Sequence, residues 1–190
     1  MEKELLKMLY EKGFKYSEEA AFTLASGKQS KFYIDCRVVT SLAKAKYVMS
    51  HLIYDKIADL KVDAIGGPET GAIPIADSVS YVSYLKGTEI KSFWIRKEPK
   101  GHGLKKWIEG DVKKGDRVVI VDDVITTGKS TIDALQRARE GGLEVVKVVV
   151  LVDREEEEGR QTIEKEGVTV VALFTIRDLM GMQSRQPCQR

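Results

Sequence analysis

Arg117-Val118-Val119-Ile120-Val121-Asp122-Asp123-Val124-Ile125-Thr126-Thr127-Gly128-Lys129-Ser130-Thr131 is the stretch whose reading decides the fold. Its β-branched run, bounded upstream by Gly115-Asp116, has the unbroken apolar character of a strand buried on both faces. Two adjacent carboxylates follow, then a Thr/Gly/Ser turn, then a helical pattern from Ile132 to Glu140 that stops at Gly141-Gly142. A strand that empties through small residues into a helix start gathers free backbone N–H groups and the positive end of the helix dipole at one place. The hydroxyls of Thr126, Thr127, Ser130 and Thr131 stand beside them, so the turn predicts an anion site.

Gly128-Lys129-Ser130 is half of a nucleoside-triphosphate P-loop, but that motif requires a glycine where this chain has Asp123. Two carboxylates at the mouth of the turn suit a ligand that offers hydroxyls as well as a phosphate: they accept from a ribose diol while the turn holds a 5′-phosphate. An Asp pair that only ended a strand and capped a helix would need far less than this pattern. The stretch resembles the phosphoribosyl-pyrophosphate (PRPP) loop of the type I phosphoribosyltransferases.

Working outward, the same design recurs. Val62–Gly66 reads as a short buried strand that runs through Gly66-Gly67-Pro68-Glu69-Thr70-Gly71 into a helix over Ile75–Tyr84, a second anion-binding geometry. Further strands are expected at Ile90–Arg96, Glu144–Val152 and Thr169–Phe174, and helices at 2–12, Ser41–Leu60 (with Ser41 as N-cap) and 159–166. Lys97–Gly110 reads as irregular. Ala21–Ala25 and Lys31–Arg37 read as a hairpin around Ser26–Ser30, a small cap over a site. Alternating continuous strands and helices predict a doubly wound parallel α/β sheet whose ligands sit at the carboxyl ends of the strands. We expect one domain over 1–190: helix and cap over about 1–40, α/β core over about 41–178, and a frayed tail over 179–190.

Composition narrows the class. At 190 residues, 43% apolar and 32% charged, the chain has enough material for a core without disulfides, and a net charge of +2 argues against a general nucleic-acid binder. Cys36 and Cys188 lie far apart with no metal-type spacing, which suits free thiols and a reducing cytoplasm. No signal peptide or apolar run of membrane length is present in this sequence, so the expected location is cytoplasmic and no membrane partner is expected.

Between Arg96 and Lys106 runs Arg-Lys-Glu-Pro-Lys-Gly-His-Gly-Leu-Lys-Lys, five basic residues against one Glu, with Pro99 and two glycines breaking regular structure. A basic segment of this kind suits a polyanionic leaving group: it opens for entry, then brings ammonium groups in and keeps water out. Arg96–Gly103 is similar to the catalytic loop of the orotate phosphoribosyltransferases, and Thr23-Leu-Ala-Ser-Gly-Lys-Gln-Ser-Lys-Phe-Tyr-Ile-Asp-Cys-Arg37 is similar to that family's N-terminal cap. With the Asp-Asp turn, the resemblance spans most of 20–155 in the family's order and spacing.

The resemblance implies a set of roles. Arg96, Lys97, Lys100 and His102 bind the pyrophosphate of PRPP, with Lys100 and His102 reaching into the neighbouring subunit of a homodimer. Asp122 and Asp123 hold the ribose hydroxyls, and the turn from Val124 and Ile125 through Thr126, Thr127, Gly128, Lys129 and Ser130 takes the 5′-phosphate. Thr126 and Arg154 contact orotate, Arg154 by a bidentate grip on its carboxylate, and the backbone of Phe32 and Tyr33 lines the base pocket. Lys100, His102, Asp122 and Asp123 are the catalytic set. Mg²⁺ is the implied cofactor, bound mainly through PRPP and without a cage of protein ligands. Where many members carry a lysine before the cap's Ser-Gly and Tyr-Lys in the second glycine turn, this chain has Ala25 and Thr70-Gly71. Pyrophosphate binding then leans more on the basic segment and on backbone amides. Two other readings remain open: a purine phosphoribosyltransferase on the same scaffold, and a PRPP-sensing regulator, for which no helix-turn-helix stands out. His51, Trp94, Trp107 and the Glu155–Glu158 run read as packing or solvated groups, with Trp107 also a candidate latch.

Overall fold

The computed structural model describes residues 1–23, 27–99 and 106–183. Its centre is β8 (Arg117–Ile125), which pairs in parallel with β5 (Ala64–Pro68) on one side and β9 (Glu144–Asp153) on the other. β6 (Lys91–Ile95) continues the parallel sheet beyond β5, and β10 (Val170–Thr175) continues it beyond β9. The edge strand β7 (Ile108–Gly110) runs antiparallel to β6, giving the order β10-β9-β8-β5-β6-β7.

The β-branched run of β8 is buried on both faces because two helix layers divide its side chains. Val119 and Val121 join a core with Val48, Met49 and Ile53 of α3 (Ala43–Ile57) and Ile75 and Val79 of α4 (Ile73–Leu85). Val118 and Ile120 join a second core with Ala134, Leu135 and Ala138 of α5 (Lys129–Glu140) and Ile163 of α6 (Gly159–Glu164). Each such fully buried Leu, Ile or Val contributes about 1.5–3 kcal/mol over an exposed one. This is the doubly wound sheet expected from the strand–helix alternation, with one antiparallel edge added.

The N-terminal cap differs from the expected single hairpin. α1 (Glu2–Met8) continues into a π-helical turn, Leu9–Gly13, and then β1 (Phe14–Tyr16). β1 pairs with β4 (Phe32–Ile34), while β2 (Phe22–Thr23) pairs with β3 (Gln29–Ser30). Two ribbons therefore replace one: Phe14 and Phe32 meet within the β1–β4 ribbon at 6.5 Å between ring centroids, and Phe22 of the other ribbon joins it by stacking on Tyr33 at 6.0 Å.

Three boundaries also move. Ser41 is not an N-cap: a short α2 (Arg37–Thr40) precedes it, its hydroxyl donates to the Val38 carbonyl at 3.0 Å, and α3 starts at Ala43. Ile108–Gly110, expected to be irregular, forms the edge strand. α7 (Ile176–Gln183) runs past Leu179, where a frayed tail was expected, because Leu179 is buried and Asp178 accepts from the Thr175 N–H at 2.8 Å at the helix start.

Candidate active site

A cleft of about 1010 Å³ opens at the carboxyl ends of β5, β6 and β8. Its floor is the β8–α5 turn. Gly128 holds the left-handed conformation that ends the turn (φ 77°), and a Cβ there would lie 2.7 Å from the Gly159 carbonyl oxygen. Thr127 Oγ1 accepts the Lys129 N–H at 3.3 Å, and the first turn of α5 leaves N–H groups without intrahelical acceptors.

The two acids are not equivalent. Asp122 is 5% exposed and its carboxylate is fully engaged: Oδ1 accepts the Asp123 N–H at 2.9 Å, while Oδ2 accepts the hydroxyls of Thr131 at 2.8 Å and Ser130 at 3.1 Å. Asp122 thus ties the strand end to the first turn of the helix. Asp123 accepts the Val124 N–H at 3.0 Å, and its carboxyl fills the space where a Gly71 side chain would begin: a Cβ on Gly71 would lie 2.7 Å from Asp123 Cγ. Gly71 therefore lets the second glycine turn close onto the acid. Burial raises the proton affinity of Asp122, and the neighbouring Asp123 charge raises it further. Burial also raises that of Asp123, against hydrogen bonds and the Arg37 charge, which favour ionisation.

The basic wall comes from the end of β6. The Lys97 N–H donates to Glu69 Oε1 at 2.8 Å and the Glu69 N–H to the Ile95 carbonyl at 2.9 Å, stitching the second glycine turn to Arg96-Lys97. Arg96 Nε donates to the Glu98 carbonyl at 3.1 Å.

On the third side, Arg154 is 4% exposed and held by three elements. Its Nε donates to Glu156 Oε2 at 3.0 Å, and Nη2 lies 2.9 Å from the same oxygen as an ion pair. Nη2 also reaches Ser30 Oγ at 3.1 Å and the Phe32 carbonyl at 3.3 Å, and the guanidinium lies 4.8 Å from the Phe32 ring centroid. Arg154 is thus braced by Glu156 through Nε and by the cap through Nη2, at the edge of the cleft that it lines. Within Glu155–Glu158 the first and last residues are exposed, as expected of a solvated run, and two of the acids make surface ion pairs: Glu155 with Arg177 at 2.9 Å and Glu157 with Lys28 at 3.1 Å. Through Lys28, Ser30 and Phe32 the cap is fastened to the loop after β9.

Of the residues expected from sequence, Tyr33, Arg96, Lys97, Asp122, Asp123, Val124, Thr126, Thr127, Gly128, Lys129, Ser130 and Arg154 line this one cleft. Ile125 does not: its side chain is buried in the core, and its carbonyl accepts the Arg154 N–H at 3.0 Å. Phe32 stands behind Arg154 rather than on the lining. Lys100 and His102 lie outside the described residues. Sequence reasoning missed the Asp35–Arg37 pair on the cleft wall (2.9 Å), Glu69, and the α5 face of Asp133, Arg137 and Glu140. The i, i+4, i+7 spacing of that α5 face was the available signal.

Burial pushes the Cys36 thiol up, which makes it a packing group rather than a nucleophile. No helix among the described residues is long and apolar enough to cross a membrane.

Comparison with known proteins agrees with this geometry. The family model described as the phosphoribosyl transferase domain matches residues 39–177. The orotate phosphoribosyltransferase of Aquifex aeolicus is 41% identical over 176 residues, 93% of this chain and 96% of that protein. The crystal structure of Mycobacterium tuberculosis H37Rv orotate phosphoribosyltransferase in complex with Fe(III) dicitrate superposes with a TM-score of 0.81 at 31% identity, covering 94% of this chain and 98% of that one. The same enzyme in complex with PRPP gives a TM-score of 0.76 at 29% identity over 94% and 98% of the two chains. Sequence, fold and cleft agree, and the chain belongs to the orotate phosphoribosyltransferases of the phosphoribosyl transferase domain family.

Proposed function

We propose that this enzyme transfers the 5-phosphoribosyl group of PRPP to orotate, releasing pyrophosphate and forming orotidine 5′-monophosphate in pyrimidine biosynthesis. The observation that carries the reading is the run of β8 into α5, which brings two acids and a hydroxyl-lined anion turn to the floor of one cleft.

The turn over Thr126–Ser130 takes the 5′-phosphate on backbone N–H groups and the start of α5. Asp123, backed by Asp122, accepts from the ribose hydroxyls. Arg96 and Lys97, together with Lys100 and His102, neutralise the pyrophosphate. Arg154, Thr126 and the Tyr33 side of the cap orient orotate, with the positively charged rim attracting its carboxylate. The orotate nitrogen forms its bond to the anomeric carbon as the carbon–oxygen bond to pyrophosphate breaks; the electron pair leaves with pyrophosphate, and the proton of the orotate N–H passes to solvent or to the departing pyrophosphate. Positive charge on the sugar is steadied by the acids, and the barrier falls through positioning and charge neutralisation without a covalent nucleophile. Mg²⁺ fits this donor set: the buried Asp122 and the half-buried Asp123 stand side by side, and a cation near them would relieve their mutual repulsion. When bound, the ion supplies charge neutralisation on phosphate and ribose oxygens.

A homodimer with shared sites accords with the resemblance and with the exposed apolar side chains Tyr47 of α3 and Tyr81, Tyr84 and Leu85 of α4. A cytoplasmic location accords with the free thiol of Cys36.

The test is orotate consumption with PRPP and Mg²⁺, run beside adenine, hypoxanthine and uracil. Turnover confined to orotate is expected; turnover of a purine base instead would overturn the assignment. Mixing Lys100→Ala with Asp123→Asn chains tests sharing: recovered activity is expected, and none after proven subunit exchange would mean self-contained sites.

A further inference from the structure

Trp107 follows the basic segment and is left without a task by the chemistry above. Its indole lies flat under Arg137 of α5, with the guanidinium carbon 3.8 Å from the ring centroid. Arg137 is fixed in turn by Glu140, Nη1 donating to Oε2 at 2.7 Å. On the other side, the Trp107 carbonyl accepts the Arg96 N–H at 2.9 Å, the last rung of the β6–β7 ribbon. Next along that ribbon, Ile108 packs so closely on the end of α5 that a Cβ on Gly141 would lie 2.6 Å from its Cδ1. A second, smaller cavity of about 330 Å³ sits behind the indole, so the ring is a partition between two spaces rather than part of a filled core.

These contacts join the two ends of the anion-binding machinery. α5 begins at the phosphate turn and ends under Trp107; β6 ends at Arg96-Lys97 and is bonded to Trp107. We infer that the Trp107–Arg137 stack is a positioning clamp, which fixes the pyrophosphate-binding cations Arg96 and Lys97 at a set distance from the 5′-phosphate turn. This rests on the reading of Arg96 and Lys97 as pyrophosphate ligands. The stack suits the task because it is directional: a guanidinium over an indole face holds position while the neighbouring ribbon is otherwise an edge strand of three residues. A misplacement of about 1 Å at such a site costs on the order of a hundredfold in rate, so a modest contact has a large lever.

The experiment uses Arg137→Met, which keeps the stem and removes the charge, in the full chain. Calorimetric titration with pyrophosphate and, separately, ribose 5-phosphate is the readout that a merely structural role would not split. We expect pyrophosphate affinity to fall about tenfold while ribose 5-phosphate affinity stays within about twofold. In turnover, kcat and the KM for PRPP should worsen with the KM for orotate unmoved. Arg137→Lys should recover part of the loss, and Trp107→Phe should retain more than Trp107→Leu. The Trp107 emission, isolated by subtracting the Trp107→Phe variant in which only Trp94 remains, should shift in Arg137→Met. Equal weakening of both ligands together with a lower Tm would overturn the clamp, as would no change in either. If the wild-type chain ignores orotate while Arg137→Met still shows the split loss of pyrophosphate affinity, the clamp stands and the substrate assignment falls.

Discussion

The floor and the basic wall of the cleft differ in how closely main chain meets main chain. At the floor the approach leaves no room: a Cβ on Gly159 would collide with the Thr126 carbonyl oxygen, and one on Gly67 with the Val121 carbonyl oxygen. At the wall, the backbone bonds from Glu69 to Ile95 and from Arg96 to Trp107 are supplemented by side-chain joins, Glu69 to Lys97 and Trp107 to Arg137. Backbone contacts of that closeness admit no adjustment, whereas side-chain joins can rearrange. The β8–α5 turn is consequently a fixed socket, and Arg96 and Lys97 are held at its rim by adjustable struts.

That contrast can be broken at its rigid side first. Gly159→Ala should push α6 off the phosphate turn, lowering kcat/KM for PRPP on the order of a hundredfold and reducing stability by about 1–3 kcal/mol. Steady-state kinetics and urea denaturation check both; retained activity would show that the floor yields. Asp123→Asn should lower kcat/KM for PRPP about tenfold or more while leaving the empty protein as stable or more so, since a buried charge is removed. A loss of stability would contradict the burial argument.

The smallest effect is read on the strut that carries Arg154. Glu156→Gln keeps one acceptor but removes the counter-charge, and should raise the KM for orotate several-fold, about threefold to tenfold, with the KM for PRPP unchanged. A change in both would mean that Glu156 supports the floor as well.

Acid dependence separates the regions again. Asp122 ionises with more difficulty in the folded chain than in the unfolded one, where its carboxyl has a pKa of about 3.9. Its contribution to stability is therefore full below that value and is lost as pH rises through the elevated folded pKa. Asp35 shifts the other way, its carboxylate favoured by the Arg37 guanidinium, so the whole-protein curve mixes both signs. Subtracting the curve of Asp122→Asn from that of the ligand-free wild type, by denaturation between about pH 4 and 8, should leave a difference that declines with pH. A flat or rising difference would sink the claim.

The rigid side of this comparison was also the legible one. Val118–Val121 and the Asp-Asp-turn pattern encode strand, turn and helix locally, so the parallel sheet and the floor of the cleft followed from the residues, while Tyr33, Arg96, Lys97 and Arg154 were placed at the cleft by the family resemblance. The parts that did not follow depend on partners distant in sequence. Phe14–Tyr16 is too short to read as a strand until Phe32–Ile34 lies beside it. Ile108–Gly110 becomes one only because the edge of β6 is open to it. Arg154 could be picked out by its chemistry, but its bracing by Glu156, Ser30 and Phe32 shows only once the cap lies against the loop after β9. Ser41 carried the right chemistry for a cap and spent its hydroxyl on the Val38 carbonyl instead.

The meeting of Gly159 with Thr126, joined by the Arg154 N–H on the Ile125 carbonyl, has a bearing on how such an enzyme can diversify. On the proposed assignment, the segment that would select the base and the bend that would seat the sugar phosphate lean on one shared length of main chain. Lengthening or shortening the selector would unseat the sugar. New base preferences on this scaffold must come from exchanging side chains at constant loop length.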